Sequence, residues 1–138
     1  MVVNQTVSVE RTFTAMSYDI DFAGIMSNQV YQRWLEDLRT DLLYEFTDYD
    51  ELGKLGVFPV LGHTEIDFKM PVRLMEKVRG RMVVDLMDDH RWILSTTFEK
   101  EGEICARARQ WGVFVDAKTV KPVTAPDLFP RIGPSTPR

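Results

Sequence analysis

The sequence predicts an α+β domain in which a five-stranded antiparallel sheet covers one long amphipathic helix. Three observations predict it. Across residues 28–46 the apolar side chains Val30, Tyr31, Trp34, Leu35, Leu38, Leu42, Leu43 and Phe46 recur at helical spacing. Five other stretches are β-like, most alternating apolar and polar residues with the period of two that marks a half-buried strand. Short turn signals separate the last of these stretches, so neighbouring strands pair antiparallel.

The first strand carries Val7, Val9, Phe13 and Ala15 on one register, with Arg11 as an exception on that register. Gly24 breaks the pattern before the helix, and Ser27 or Asn28 is the expected N-cap. A helix over 28–46 would be roughly 28 Å long at about 1.5 Å per residue. Residues 47–56 hold acidic side chains and two glycines and read as a loop, with room for one short helical turn around Tyr49 to Leu55. Four strands follow, from about Pro59 to Met70, Glu76 to Met87, Trp92 to Glu99 and Ile104 to Val115. Asp88-Asp89-His90 and Lys100-Glu101-Gly102-Glu103 are the turns between the last three. Residues 1–126 form a single domain in this reading. The proline-rich tail, 127–138, is expected to be extended or disordered.

Composition narrows the function. A chain of 138 residues holds one domain with a real core. Its net charge of −4 does not favour nucleic acid or an anionic membrane. No apolar run approaches the roughly 20 residues of a membrane span. The N-terminus does not read as a signal peptide. Cys105 is the only cysteine, which excludes an internal disulfide and suggests a reducing, cytoplasmic setting. With two histidines and one cysteine, no conventional zinc site is expected.

The chemistry concentrates between Tyr18 and Tyr31. There a carboxylate, Asp21, and a glycine, Gly24, lie just ahead of a helix start. A helix N-terminus offers unpaired N–H donors and a partial positive charge. A base or nucleophile beside such donors is what acyl transfer needs: a group to attack the carbonyl, and a site for the oxyanion that forms.

Tyr18, Asp19, Asp21, Gly24, Ile25, Met26, Ser27, Asn28, Tyr31 and Trp34 form an aromatic-Asp-x-Asp-x-x-Gly pattern running into an x-x-Tyr-x-x-Trp helix, continued by Leu35-Glu36-Asp37-Leu38-Arg39. This resembles the 4-hydroxybenzoyl-CoA thioesterase-like family of hotdog-fold acyl-CoA thioesterases. Phe68-Lys69-Met70-Pro71-Val72 and Val113-Phe114-Val115-Asp116 extend the resemblance over most of the chain. It implies a five-stranded sheet curled around the helix. It also implies a homodimer or homotetramer with active sites at the dimer interface. Asp21 would be nucleophile or general base, and the backbone N–H of Asn28 would face the thioester oxygen. Many relatives carry His or Tyr at the Asn28 position. An asparagine amide takes no proton at neutral pH, but the backbone donor survives the change.

Each residue also has a structural reading. Asp21 and Asp19 suit turns and caps, and for Asp19 that structural role is preferred. Gly24 suits a turn that needs a positive φ. Gly24 and Ile25 are expected at the substrate site, and Tyr31 either lines an acyl pocket or belongs to the core. Arg73, Arg79 and Arg81, with Lys69 and Lys77, are candidates for CoA phosphate contact or for a solvated strand face. His63 and His90 lack a neighbouring motif, and Cys105 reads as a packed strand residue.

The expected activity is hydrolysis of an acyl-CoA thioester to free acid and CoA. No metal or resident cofactor is required, since CoA arrives with the substrate. An acyl-carrier-protein thioester as substrate, or acyl-thioester binding without turnover, are the alternatives.

Overall fold

The computed structural model describes residues 6–133. The helical periodicity folds as α1 (Val30–Leu43), burying Val30, Tyr31, Trp34, Leu35, Leu38 and Leu42. At 14 residues, α1 is shorter than the 28–46 span predicted from periodicity. Its length is about 21 Å. At its start, Asn28 and Gln29 form a turn in which the Ser27 hydroxyl accepts the Gln29 N–H at 3.2 Å. At its end, Glu45 and Phe46 donate to carbonyls three residues back, at 3.1 and 3.0 Å. The apolar pattern outlasts the helix because such tightened turns keep Phe46 against the core.

The remaining elements are β1 (Ser8–Thr14), α2 (Tyr49–Leu55), β2 (Val57–Phe68), β3 (Lys77–Met87), β4 (Arg91–Lys100), β5 (Glu103–Asp116) and β6 (Pro122–Val123). The predicted short helical turn is α2. Asp48 caps it by accepting the Glu51 N–H at 2.8 Å, and Gly56 closes it at φ +72°. The sheet is antiparallel in the order β1-β3-β4-β5-β2. It has six strands rather than five, because Pro122 and Val123 pair with Val115 and Phe114 at the end of β5. Proline is tolerated there as the first residue of a strand.

The concave face of the sheet receives α1. Phe13 of β1 stacks on Trp34 with ring centroids 4.7 Å apart, and Phe98 of β4 lies 5.0 Å from the Tyr31 ring. Gly80 of β3 sits beneath this cluster. A Cβ there would lie 3.0 Å from both Leu38 Cδ1 and Phe98 Cε1. Arg11, the polar exception in β1, reaches past the core edge to Asp41 of α1, with two hydrogen bonds of 2.9 and 2.8 Å.

The tail joins this core. Met87 and Ile132 exchange N–H···O bonds of 2.8 Å, and Phe129 packs 5.2 Å from the Phe114 ring. Arg131 ties the segment down through the carbonyls of Ala125, Pro126 and Phe129. Apolar packing therefore continues past Pro126 to Ile132. Pro134 and Pro137 lie outside the described residues. Among those residues no helix is long and apolar enough to cross a membrane.

Gly112 of β5 is the tightest position in the sheet: an added Cβ would stand 2.0 Å from the Val60 carbonyl oxygen and 2.4 Å from the Trp92 ring. Backbone cannot yield as a side chain can. Gly112→Ala is expected to destabilise the protein by about 3 kcal/mol, and Gly80→Ala by about 1 kcal/mol. Urea unfolding of both variants checks this, and a Gly112→Ala loss no larger than that of Gly80→Ala would contradict it.

Candidate active site

Between β1 and α1 the chain forms a small hairpin. Ile20 and Met26 face each other, the Asp21 N–H donates to the Ile25 carbonyl at 3.1 Å, and the Gly24 N–H donates back to the Asp21 carbonyl at 3.1 Å. This is a three-residue loop, Phe22-Ala23-Gly24, closed by Gly24 at φ +75°. Nothing lies within 4 Å of a Cβ built at Gly24. The glycine is thus required by backbone conformation, not by crowding.

Asp21 is the first residue of that turn and is exposed. Its Oδ1 accepts the Ala23 N–H at 2.9 Å, which orients the carboxylate, while Oδ2 has no partner among the described residues. Phe22, which sequence reasoning passed over as a spacer, stands fully exposed at the loop tip, and Tyr18 is 78% exposed. Two large aromatics held in solvent beside a carboxylate suit contact with another molecule.

Asp19 is the anchor of the loop. It is 4% exposed, its Oδ2 accepts the Met16 N–H at 2.9 Å, and its Oδ1 is held by the Arg33 guanidinium from the first turn of α1. Its own carbonyl accepts the Ser27 N–H at 2.9 Å. The two acidic residues of the Asp-x-Asp pattern therefore differ. Asp19 fastens the loop to the helix, and Asp21 is presented to solvent.

At the helix start the carbonyls of Ser27, Asn28 and Gln29 accept the N–H groups of Val30, Tyr31 and Gln32. The Gln29 N–H is taken by Ser27 Oγ. The Asn28 N–H donates to no group among the described residues, and Asn28 is exposed. An unclaimed donor at the positive end of a helix can receive an anionic oxygen.

Of the candidate basic residues, Arg73 is brought to this loop. It bridges Ile25 through the backbone, and the Met26 N–H donates to the Val72 carbonyl at 2.7 Å. Glu76 holds that neighbouring segment. Its Oε1 accepts the Arg73 N–H at 2.6 Å and Lys100 Nζ at 2.8 Å, and Lys100 also caps the Pro71 carbonyl at 2.9 Å. The Lys100 and Arg73 hydrogen bonds depress the Glu76 pKa. Arg79 and Arg81 project from the outer side of β3, paired with Glu99 at 3.3 Å and Glu10 at 3.7 Å.

Tyr31 turns into the core, edge-on to Trp34, and its hydroxyl is buried without a partner among the described residues. Burial raises its pKa, so it stays protonated. His63 stacks on Trp111 at 4.0 Å, and His90 is exposed, its N–H donating to Asp88 in the turn before β4. Cys105 is buried, and burial pushes its thiol pKa up, away from nucleophilic use.

An antiparallel sheet packed against one central helix is the hotdog architecture. Residues 17–131 match the thioesterase-like superfamily, and the chain belongs to that family. Among solved structures, a gentisyl-coenzyme A thioesterase superposes with TM-score 0.78 at 21% identity, over 87% of this chain and 98% of that one. A 1,4-dihydroxy-2-naphthoyl-CoA thioesterase from Synechocystis gives 0.76 at 19%, over 90% and 92%. A Staphylococcus aureus protein in complex with CoA gives 0.83 at 18%, over 94% and 81%. No curated protein sequence matches the chain significantly.

Glu76→Gln is expected to cost about 1 kcal/mol, the worth of a half-exposed charged hydrogen bond. Because its folded pKa is depressed, the wild-type contribution is complete above the ordinary carboxylate pKa and disappears as pH falls through the folded value. The stability gap between wild type and Glu76→Gln, measured by thermal melts from pH 7 to pH 3, should close with acid. A gap constant over that range would contradict the assignment.

Proposed function

We propose that this chain hydrolyses an acyl-CoA thioester to a free acid and CoA, with Asp21 as nucleophile or general base and the Asn28 N–H as oxyanion donor. The observation that carries the reading is the pairing of an oriented, solvent-facing carboxylate with an unclaimed amide at the start of α1. The carbonyl carbon is attacked either by Asp21, giving an anhydride that water then opens, or by water that Asp21 deprotonates. Negative charge collects on the thioester oxygen, where the Asn28 amide and the helix N-terminus lower its energy. The thiolate then leaves without a strong acid, because a thiol is acidic near pH 8.5. Arg73, next to Ile25 in the backbone, is the basic residue best placed for CoA phosphate. Gly24 and Ile25 form the wall between it and Asp21. Membership in the thioesterase-like superfamily and the fold shared with a CoA complex support the substrate class.

The enzyme works as a homodimer, with β2 of one copy pairing antiparallel with β2 of the other. Among the described residues β2 uses one edge, bonding β5, and leaves Val60, Leu61 and Phe68 more than one-third exposed. A long open edge is a pairing template unless covered, and antiparallel self-pairing is closed and two-fold symmetric. Light scattering should therefore give twice the chain mass for wild type and a smaller assembly for Leu61→Lys. A wild-type monomer would refute the interface.

The decisive assay is free-thiol release from a panel of aliphatic and aromatic acyl-CoAs. Asp21→Asn should lose at least about 100-fold in kcat while keeping its fold, since asparagine can still accept the Ala23 N–H. Asn28→Ala should stay within a few-fold of wild type, because the donor is backbone. Near-wild-type turnover in Asp21→Asn would remove Asp21 from the mechanism. A folded wild type that hydrolyses no acyl-CoA would shift the reading to carrier-protein thioesters or to binding without turnover.

A further inference from the structure

A cavity of about 230 Å³ lies between the C-terminal half of α1 and the sheet, far along the helix from Asn28. Its walls are apolar, with Leu43, Phe46, Trp92, Phe114 and Phe129 among them. Its polar lining comes from α1 and α2: Glu36, Arg39, Thr40 and Tyr49. Arg39 Nη1 is fully buried and has no hydrogen-bond acceptor among the described residues. Like Arg73, Arg107 and Arg109, Arg39 forms no ion pair with a carboxylate among the described residues, but it is the one arginine among them with a buried guanidinium nitrogen left without a partner. Glu36, one helical turn earlier, is exposed and attracts Arg39 across that turn without forming a hydrogen bond to it, and burial still lowers the Arg39 pKa.

A guanidinium stays charged in a protein, and a buried N–H donor on it without an acceptor is costly. An adjoining cavity is where the missing anion fits. Carboxylate matches the fork of an arginine with two parallel hydrogen bonds. The apolar walls require a hydrocarbon body behind that carboxylate. An apolar cavity of about 150 Å³ already admits benzene, so this one takes a single ring or a short chain.

The cavity also has a place in the dimer. At one end of β2, Phe68 lies 5.7 Å from the Tyr31 ring at the start of α1. At the other end, Phe58, Pro59 and Leu61 line the cavity. Antiparallel self-pairing sets the Phe68 end of one copy beside the Phe58 end of its partner. Each cavity then neighbours the partner's Asp21 loop.

We propose that Arg39 and this cavity bind an organic carboxylate, and that in turnover it is the distal carboxylate of a small dicarboxylic half-thioester whose other end is hydrolysed at the partner's Asp21 loop. The second part rests on the thioesterase reading; the first does not. Two measurements separate them. Trp92 lines the cavity, so tryptophan fluorescence can follow titration with benzoate and with uncharged benzamide. Benzoate should bind at least about tenfold more tightly, and Arg39→Met should erase the difference, with Arg39→Lys between the two. Thermal melts of both variants establish that they fold. In the thiol-release assay, kcat/KM for glutaryl-CoA and 4-carboxybenzoyl-CoA should exceed that for butyryl-CoA, benzoyl-CoA and 4-hydroxybenzoyl-CoA by about tenfold or more, and the ratio should collapse toward one in Arg39→Met.

Equal affinity for benzoate and benzamide, or benzoate binding that survives Arg39→Met, overturns the carboxylate site. Arg39-dependent benzoate binding combined with equal rates on carboxylated and plain thioesters overturns the substrate assignment. Arg39-dependent binding with no acyl-CoA hydrolysed at all upholds the carboxylate site and overturns the acyl-CoA thioesterase reading.

Discussion

The close approach of α1 to the sheet over Gly80 is the constraint on which the rest of this structure depends. Phe13, Trp34, Tyr31 and Phe98 form one aromatic cluster at the helix's first turns. The cluster seats closely because β3 presents no side chain beneath Leu38. Burying these rings supplies much of the apolar stabilisation, since large aromatics remove the most surface from water. The same cluster holds the first turns of α1, next to the Asn28 amide that faces solvent.

From that fixed helix start, the site loop follows by hydrogen bonding. Arg33, on the exposed side of the first turn, holds the buried Asp19 carboxylate, and Asp19 in turn holds Met16 and Ser27. The hairpin carrying Asp21 hangs from this anchor and is braced by the segment around Arg73, which Glu76 and Lys100 fasten to β4. A loop that is to bind or react must be held within fractions of an ångström by neighbouring groups. Here Asp19, Glu76 and Lys100 form that support, each hydrogen-bonded to backbone amides or carbonyls around the loop.

The two ends of α1 carry opposite chemistry. Its start offers an open N–H beside a carboxylate, and its C-terminal half offers a guanidinium with one buried, unpartnered nitrogen beside an apolar cavity. Within one chain these lie apart. Two-fold pairing through β2 would join them, which gives the open edge, the exposed Phe22 and the unpaired Arg39 a common explanation.

Much was legible in the sequence because it depends on local periodicity. The apolar spacing of α1, the alternation in β3 and β4, and the turns at residues 88–90 and 100–103 each act over a few residues. The Asp-x-Asp-x-x-Gly run was legible for the same reason: a three-residue loop closed by a glycine at positive φ is local geometry. The tertiary structure alone decided the rest. It placed Pro122 and Val123 in the sheet and the tail on the core, because those contacts join residues distant in sequence. It turned Tyr31 inward, set Arg79 and Arg81 among cross-strand partners, and buried one Arg39 nitrogen without an acceptor among the described residues. Burial and charge pairing are properties of what surrounds a side chain in space, and no spacing along the chain encodes them.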